Sequence, residues 1–232
     1  MSTSRHVVNV NFKRPDPSLV ARFRALKTEV VLPLLPDPLL MDGAIRPLLN
    51  DWAAVGPAVT VAPTGTDMMM AIAATGIAQP GDVVVVAAGG LAGDGYAAWG
   101  GGLTLSARHK EVAGVVVDGF VQDAPAIQTR EVPVFCRGST LRYRMAAKPG
   151  SVNVPVSCGG VTVHPGDLVI ADRDGVMVIP QHLLEEIIEA AEERTAYLAR
   201  NQKRMREEKL TLFDLRGGPE LYIKAGIEWN DK

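Results

Sequence analysis

The sequence predicts an α/β domain in which short buried strands alternate with helices. The four consecutive valines Val83–Val86 and the apolar residues 115–117 are each bounded by turn residues, which is typical of strands covered on both faces. After Lys148 the pattern changes to short strands separated by glycine and aspartate turns. A long helix is predicted from residue 181 to about residue 208, with one apolar stripe and acidic residues at its start. We therefore expect one α/β domain with N-terminal helices and a long C-terminal helix.

Turn and capping residues place the remaining elements along the chain. A helix is predicted over residues 18–31, because Asp16 is a good N-cap and Pro17 suits the first helical position. Further helices are predicted over residues 44–49, 66–75, 98–110 and 123–129. Further strands are predicted over residues 58–62, 133–137, 152–156, 161–163, 168–171 and 176–179. We expect an N-terminal arm over residues 1–15, the domain over residues 16–209, and a C-terminal arm over residues 210–232 that is a candidate to pack on a neighbouring subunit.

Composition excludes several classes of protein. Of the 232 residues, 47% are hydrophobic and 22% are charged, which excludes global disorder. The 24 Lys and Arg face 26 Asp and Glu, and a net charge of −2 predicts no nucleic-acid partner. The longest apolar stretch, residues 83–99, is interrupted by glycines and Asp94, and no signal peptide is evident. We therefore expect a cytoplasmic protein that does not enter a membrane. Cys136 and Cys158 fit neither a disulfide framework nor a metal-ligand spacing.

One glycine-rich segment matches a dinucleotide-binding pattern. Residues 93–98 read G-x-G-x-x-A directly after a predicted strand, and the next strand ends in Asp118, where a ribose-binding acid would lie. The glycines at 100–102 would weaken the helix over the pyrophosphate, and the second half of such a fold is missing. A dinucleotide-binding enzyme is therefore the less favoured alternative.

The same glycine cluster and Asp123 suggest a different kind of site. Backbone amides at a helix start bind carboxylates or phosphates without obstruction by side chains, although a tight loop that binds nothing is the alternative. Asp123 follows the buried strand 115–117 at its carboxyl end, where open α/β sheets hold ligands. Its carboxylate is either a ligand of a hard divalent cation or a helix N-cap before Ala124 and Pro125.

Four motifs, taken in order, resemble the RraA-like family. They are Gly100-Gly-Gly-Leu103, residues 115–123, Pro133-Val-Phe-Cys-Arg-Gly138, and residues 159–167, followed by residues 171–180. The family includes 4-hydroxy-4-methyl-2-oxoglutarate aldolases, which also decarboxylate oxaloacetate, and the regulator of ribonuclease E activity. The resemblance covers roughly residues 57–180.

The resemblance implies an α/β/β/α layered domain, assembled as a homotrimer or a dimer of trimers with active sites between subunits. It implies that the carboxylate of a small 2-oxo acid binds the backbone amides of the glycine loop, and that Asp123 holds Mg²⁺ or Mn²⁺. A glutamate from a neighbouring subunit's C-terminal helix is implied near Thr195, which makes Glu192 and Glu193 the candidate metal ligands. The loop residues implied for substrate binding are Gly100, Gly101, Gly102 and Leu103.

The chain departs from the family pattern at two positions. Gln122 stands where the aldolases carry the arginine before Asp123, and Gly101 stands where they carry an acidic residue. A neutral amide keeps a hydrogen-bond donor for the substrate but loses the charge. One of Arg137, Arg142 and Arg144 is a candidate to replace the missing guanidinium.

The hypothesis is a metal-dependent carbon–carbon lyase in which Gln122 and Asp123 are the catalytic residues. Its substrate would be a 2-oxo acid carrying a second carboxylate, such as 4-hydroxy-4-methyl-2-oxoglutarate or oxaloacetate. The alternative is a non-catalytic regulator like the ribonuclease regulator. That regulator keeps the arginine of the pair and loses the aspartate, which is the reverse of this chain.

Overall fold

A computed structural model describes residues 6–35, 39–65, 67–89, 95–145 and 147–230. The chain divides into two compact units, Met1–Ile188 and Glu189–Lys232. Within the described ranges no helix is both long enough and apolar enough to cross a membrane.

The strands and helices are numbered in chain order. The strands are β1 (Leu39–Leu40), β2 (Arg46–Pro47), β3 (Ala54–Ala62), β4 (Val83–Val86), β5 (Ala97–Trp99), β6 (Gly114–Val117), β7 (Phe120–Val121), β8 (Val134–Cys136), β9 (Gly138–Ser139), β10 (Ser151–Val152), β11 (Val156–Cys158), β12 (Val161–Val163), β13 (Leu168–Asp172) and β14 (Gly175–Ile179). The helices are α1 (Pro17–Arg24), α2 (Thr28–Val31), α3 (Met69–Ile77), α4 (Gly101–His109), α5 (Ala124–Gln128), α6 (Leu184–Glu207), α7 (Leu212–Leu215) and α8 (Pro219–Lys224).

The main sheet is mixed, with four parallel strands at its centre. In the described part of the chain its order is β1-β14-β13-β3-β4-β6-β8-β2, and β10 pairs with the far end of β3. Strands β3, β4, β6 and β8 are parallel, whereas β13, β14, β1 and β2 pair antiparallel with their neighbours. A parallel centre with antiparallel edges confirms the α/β class that the sequence predicts.

Strand β4 is covered on both faces, as its four valines predict. Val84 and Val86 belong to one hydrophobic core, and Val83 and Val85 belong to the other, because successive side chains of a strand point to opposite faces. Each of these side chains is at most 1% exposed. The sheet therefore separates two cores in the first unit.

A smaller parallel sheet carries the segment of greatest functional interest. Its strand order is β5-β7-β9, with Ala97 aligned to Phe120 and Val121 aligned to Ser139. In the chain β7 comes shortly after β6 and β9 comes shortly after β8, whereas β5 immediately precedes the start of α4. This sheet brings the glycine loop, residue 122 and residues 139–141 to one region.

Three of the predicted helices differ in the structure. The helix predicted over 98–110 begins only at Gly101, because Ala97–Trp99 pairs with β7 and consecutive glycines disfavour a helix interior. Residues 44–49 form no helix; Arg46 and Pro47 pair with β8 at the edge of the sheet, where proline is tolerated. The helix predicted over 18–31 is two helices, since α1 ends at Arg24.

The strand predicted over 152–156 is also divided. Asn153 has a φ of 56°, and this left-handed conformation ends β10 before β11 begins at Val156. Its backbone amide donates to the Thr60 carbonyl at 2.8 Å, and its side chain donates to the Asn9 carbonyl at 2.7 Å. The turn is therefore fixed by hydrogen bonds to two other segments.

The second unit contains most of α6 together with α7 and α8. An aromatic cluster of Phe213, Tyr222 and Trp229 holds its last segment, with ring centroids 5.4 to 5.7 Å apart. Thr211 and Asp214 form a reciprocal capping box at the start of α7. The described residues 210–230 thus include secondary structure that their mixed composition does not predict.

Candidate active site

The glycine loop is held by a buried polar contact at the start of α4. Trp99 donates its indole Nε1–H to the Thr104 hydroxyl at 2.8 Å, and that hydroxyl donates to the Gly100 carbonyl at 3.0 Å. The side chains of Trp99 and Thr104 are fully buried. Gly100 is the N-cap of α4 and no side chain caps the helix. The first amides of the helix, which include Gly101, therefore have no acceptor within the helix and can bind an anion.

Two of the three glycines lie where residues 122–126 approach the loop closely. A Cβ added to Gly100 would lie 2.9 Å from Cγ of Gln122, and one added to Gly101 would lie 3.1 Å from Cβ of Ala126. A Cβ added to Gly102 would meet no heavy atom within 4 Å. The loop and the residues after β7 are therefore in contact at Gly100 and Gly101, while Gly102 faces open space.

Gln122 and Asp123 are brought beside the loop by the small sheet. The backbone N–H of Gln122 donates to the backbone carbonyl of Trp99 at 2.9 Å. This hydrogen bond continues the pairing of β5 with β7. Cβ of Asp123 lies 3.3 Å from the position of a Cβ on Gly101. The predicted substrate-binding residues Gly100, Gly101 and Gln122 thus lie together with Asp123, and Leu103 follows them as a buried residue of α4.

Asp123 occupies the N-cap position of α5, but its carboxylate does not cap the helix. Its backbone is left-handed, with φ 58° and ψ 40°, and its side chain makes no capping hydrogen bond. At the N-terminus of α5 the backbone carbonyl of Asp123 accepts a hydrogen bond from the Ile127 backbone amide at 3.0 Å. The capping alternative is therefore wrong for the carboxylate, which is exposed beside the glycine loop.

A cavity of about 360 Å³ opens beside this carboxylate. Among the described residues of its wall Asp123 is the charged one, and the others come from the start of α5 and from residues 139–141. The lining residues are Asp123, Ala124, Pro125, Ser139, Thr140 and Leu141. A small ligand at the glycine loop could extend into this space past Asp123.

A buried ion pair lies behind the segment that carries Gln122 and Asp123. Arg137 donates from Nε to Asp118 Oδ1 at 2.7 Å and from Nη1 to Asp42 Oδ2 at 2.8 Å. Asp118 Oδ2 accepts from the Gly159 amide at 2.8 Å. The pKa of Asp42 is held below its usual value by the Ala44 amide and by the Arg137 guanidinium. Sequence reasoning missed this arrangement, because its members are far apart in the chain.

The same contacts settle two of the sequence-based hypotheses. Arg137 does not replace the family arginine, since its side chain is 6% exposed and its guanidinium binds Asp42 and Asp118. Asp118 does not offer a carboxylate to a ribose, because both of its oxygens are already bonded, so the dinucleotide alternative loses its acidic residue. Gly93 and Asp94 lie outside the described residues. Arg144 lies over the Tyr96 ring, with Cζ 4.3 Å from its centroid.

Among the described residues, Asp123 is the carboxylate that lies beside the glycine loop. Across the described ranges no group of three His, Cys, Asp or Glu residues could hold a metal ion. Mg²⁺ commonly binds through one or two carboxylates with water and substrate oxygens, so Asp123 alone fits such an ion. Glu192 and Glu193 are exposed residues of α6 in the second unit, and their part in a metal site stays a prediction.

Both cysteines are buried thiols of the first unit. Burial raises the pKa of the Cys136 thiol to about 11, and burial together with the Asp118 charge raises the pKa of Cys158. A thiol is a nucleophile only as the thiolate, so neither cysteine is suited to covalent catalysis.

The fold and this geometry define an α/β protein whose candidate binding loop and carboxylate follow the carboxyl ends of parallel strands. The chain belongs to the RraA-like family (Aldolase/RraA), which it matches over residues 37–178. This confirms the resemblance carried by the sequence motifs.

Similar proteins carry names of both kinds, aldolase and RraA. A protein of Halalkalibacterium halodurans named "putative 4-hydroxy-4-methyl-2-oxoglutarate aldolase" is 36% identical over 178 residues, which are 76% of this chain and 83% of that protein. The 4-hydroxy-4-methyl-2-oxoglutarate aldolase of Thermus thermophilus is 39% identical over 84 residues, covering 35% of this chain and 50% of its own. The crystal structure of Streptomyces coelicolor RraAS2, described as an unusual member of the RNase ES inhibitor RraA family, has a TM-score of 0.73 at 31% identity. It covers 83% of this chain and 99% of its own.

Proposed function

We propose that this chain is a metal-dependent carbon–carbon lyase that cleaves a 2-oxo acid by aldol cleavage or decarboxylation. The observation that carries the proposal is the contact between the uncapped glycine loop and Asp123. It brings free backbone amides, which bind a carboxylate, next to an exposed carboxylate, which binds a divalent cation.

Each residue of the site has a separate task in this proposal. The amides at the start of α4 bind and orient the substrate carboxylate. Gln122 is placed to donate a neutral hydrogen bond to the 2-oxo oxygen, and Asp123 holds Mg²⁺ or Mn²⁺. A divalent cation at this place supplies Lewis-acid stabilisation of the enolate that forms when the bond at C3 breaks. Glu192 or Glu193 of a neighbouring copy is proposed as a further ligand, in a trimer or a dimer of trimers.

The names of similar proteins support this chemistry. Aldolases are named among the relatives, including one that shares 36% identity over 76% of this chain. Asp123 also remains as a carboxylate at the position where the family pattern requires one, which favours catalysis over a purely regulatory role.

Enolate formation can be tested without knowledge of the complete substrate. Pyruvate is the shared fragment of aldol cleavage and decarboxylation, so we expect the protein to exchange the methyl hydrogens of pyruvate for deuterium in D₂O with Mg²⁺ or Mn²⁺. Proton NMR measures the rate, and a chelator and the Asp123→Asn variant should each abolish it. Cleavage of oxaloacetate and 4-hydroxy-4-methyl-2-oxoglutarate is measured beside it. A rate no higher than that of the free ion would overturn the lyase proposal.

A non-catalytic regulator is the second candidate function, and the match to RraAS2 favours it. In that case the protein should bind and inhibit an RNase E-type ribonuclease while showing no metal-dependent exchange of pyruvate. Co-purification with the ribonuclease and an RNA-cleavage assay measure this directly. Exchange of pyruvate without any effect on the ribonuclease would exclude the regulator.

A further inference from the structure

Trp99 makes hydrogen bonds to both sides of the candidate site. Its backbone carbonyl accepts from the backbone N–H of Gln122 at 2.9 Å, and its indole Nε1–H donates to the Thr104 hydroxyl at 2.8 Å. Trp99 and Thr104 are completely buried. One residue of β5 therefore connects the segment that carries Gln122 and Asp123 to the start of α4.

The chemistry of the groups fixes the direction of the hydrogen bonds between Trp99 and the glycine loop. An indole N–H can act as a donor but not as an acceptor, so the Thr104 hydroxyl oxygen accepts from it. The single hydrogen of this hydroxyl then donates to the Gly100 carbonyl, whose oxygen lies 3.0 Å away. The same carbonyl accepts from the Thr104 backbone N–H at 3.0 Å. Thr104 therefore holds the Gly100 carbonyl with its hydroxyl as well as with its backbone.

Holding this carbonyl also orients the next backbone N–H. The Gly100 carbonyl and the Gly101 N–H belong to one planar trans peptide group, in which they point in opposite directions. Because the carbonyl points into the helix toward Thr104, the Gly101 N–H points out of the start of α4. Three consecutive glycines at residues 100–102 have the greatest backbone freedom of any residue type. The loop therefore depends on this contact to keep its amides in one direction.

We propose that Thr104 and Trp99 are positioning residues that direct the Gly101 N–H at the carboxylate of the substrate. The inference rests on the proposed function, in which the amides at the start of α4 bind that carboxylate. The donors form one chain that runs from the indole through the hydroxyl and the Gly100–Gly101 peptide group to the ligand. Hydrogen bonds in such a chain polarise one another, so the buried indole also strengthens the bond to the ligand.

This role has a distinct kinetic signature. The substrate carboxylate keeps its charge throughout the reaction, so its hydrogen bonds are equally strong in the ground state and in the transition state. Loss of such uniform binding raises KM and leaves kcat unchanged. A merely structural role of Thr104 would instead lower the fraction of folded enzyme, which lowers kcat and leaves KM unchanged.

Thr104→Val tests the role of the hydroxyl, because it removes this group and keeps the shape of the side chain. We expect the affinity for pyruvate with Mg²⁺, measured by calorimetry, to fall about fivefold, as for the loss of one hydrogen bond. KM for the exchange of pyruvate should rise by the same factor. Thr104→Ser keeps the hydroxyl and should bind pyruvate as tightly as the wild-type protein. Unchanged affinity in Thr104→Val would overturn the inference.

A matched control is available in α3. The buried Thr75 hydroxyl also donates to the carbonyl four residues earlier, that of Ala71, at 3.0 Å. Thr75→Val should therefore lower the melting temperature without changing the affinity for pyruvate or KM. If the affinity falls as much in Thr75→Val as in Thr104→Val, the effect is one of stability and the positioning role is wrong.

The part of the chain that begins at Trp99 is tested by a double-mutant cycle. Trp99→Phe keeps an aromatic ring but removes the donor, so it should weaken pyruvate binding less than Thr104→Val does. In the Thr104→Val background it should have no further effect, because the chain is already broken. Additive effects on the affinity would contradict the chain. Unchanged affinity in Trp99→Phe would also contradict it, and this result does not require a folded Thr104→Val protein.

The binding and exchange measurements distinguish this inference from the proposed function. If pyruvate binding depends on Thr104 but no exchange or cleavage occurs, the positioning role stands and the lyase proposal is wrong. If exchange occurs with the same KM in Thr104→Val and in the wild-type protein, the lyase proposal stands and the positioning role is wrong. If pyruvate neither binds nor exchanges its methyl hydrogens, both are wrong.

Discussion

Arg137 Nε lies 2.7 Å from Asp118 Oδ1, and both side chains are less than 10% exposed. Asp118 directly follows β6 and Arg137 directly follows β8, so the pair joins two parallel strands at their carboxyl ends. The Arg137 amide also donates to the Gly119 carbonyl at 2.9 Å. This connection fixes the start of the segment that carries Gln122 and Asp123.

Replacement of Arg137 should destabilise the protein strongly. Arg137→Met keeps the apolar part of the side chain but leaves Asp118 buried without its partner, and such losses cost about 3–5 kcal/mol. Urea denaturation followed by circular dichroism measures the free energy of unfolding. Asp42→Asn is the control, since Asp42 is 42% exposed and its loss should be smaller. Equal losses for the two variants would show that the Asp118 contact has no special weight.

Asp123→Asn should remove cation binding and leave stability nearly unchanged. The carboxylate makes no capping hydrogen bond, and asparagine is tolerated in the left-handed conformation that residue 123 adopts. Calorimetry with Mn²⁺ and thermal unfolding measure the two properties. A large fall in melting temperature would indicate a structural role for the carboxylate. Unchanged Mn²⁺ binding would contradict its assignment as the metal ligand.

Substitutions at Gly101 and Gly102 should have opposite effects. An aspartate at 101 brings its Cβ within 3.1 Å of Ala126 and 3.3 Å of Asp123, so Gly101→Asp should destabilise the protein and lower activity. A Cβ at residue 102 would meet no heavy atom within 4 Å, and an acidic residue in the first turn of α4 is favourable, so Gly102→Asp should be tolerated. Thermal unfolding should give a lower melting temperature for Gly101→Asp than for Gly102→Asp. Restoring the acidic residue of the family pattern at 101 therefore requires movement of α5.

Gln122→Arg should increase the metal-dependent exchange of pyruvate. The Gln122 side chain lies against Gly100, so a guanidinium there would reach the same substrate oxygen with a charge-assisted hydrogen bond, which is roughly twice as strong as a neutral one. A gain of one to two kcal/mol in transition-state binding corresponds to about tenfold or more in kcat/KM. Gln122→Met, which has similar length and no donor, should lower the rate. If Arg and Met have the same effect, residue 122 does not contact the substrate.

The cysteines should resist thiol reagents while the protein is folded. A pKa of about 11 for Cys136, raised above the ordinary value of 9.0, means that the thiolate appears only as the pH rises toward 11. At pH 8 the thiolate fraction is on the order of one in a thousand. We expect slow reaction with iodoacetamide at pH 8 and rapid reaction after unfolding in urea, measured by mass spectrometry. Rapid labelling of the folded protein would show that this part of the sheet opens.

The sequence predicts those parts of the fold that depend on local pattern. The valines of β4 and the residues of β6 are recognisable because short apolar runs between turns are typical of buried parallel strands. Strand β5 is not recognisable, because Ala97 and Ala98 have little β-propensity and become a strand only through pairing with β7.

The candidate site also has a part that the sequence predicts and a part that it does not. The glycine loop and Asp123 carry a motif, so the sequence places them together. The contact of Arg137 with Asp118 and the hydroxyl of Thr140 on the cavity wall depend on pairings between β6, β7, β8 and β9. Such pairings join segments that no single motif contains. They place Arg137 against Asp42 and Asp118, so this arginine is not available to a ligand.

The absence of Cβ atoms at Gly100 and Gly101 gives the two sides of the site different freedom to change. A Cβ at Gly100 or Gly101 would press on side chains of residues 122–126, so the part of the site proposed to bind the constant portion of a ligand changes only together with those neighbours. The opposite wall, formed by Ser139, Thr140 and Leu141, is made of side chains that can be exchanged one at a time. New specificities can therefore arise on that wall while the shared chemistry of the site is retained.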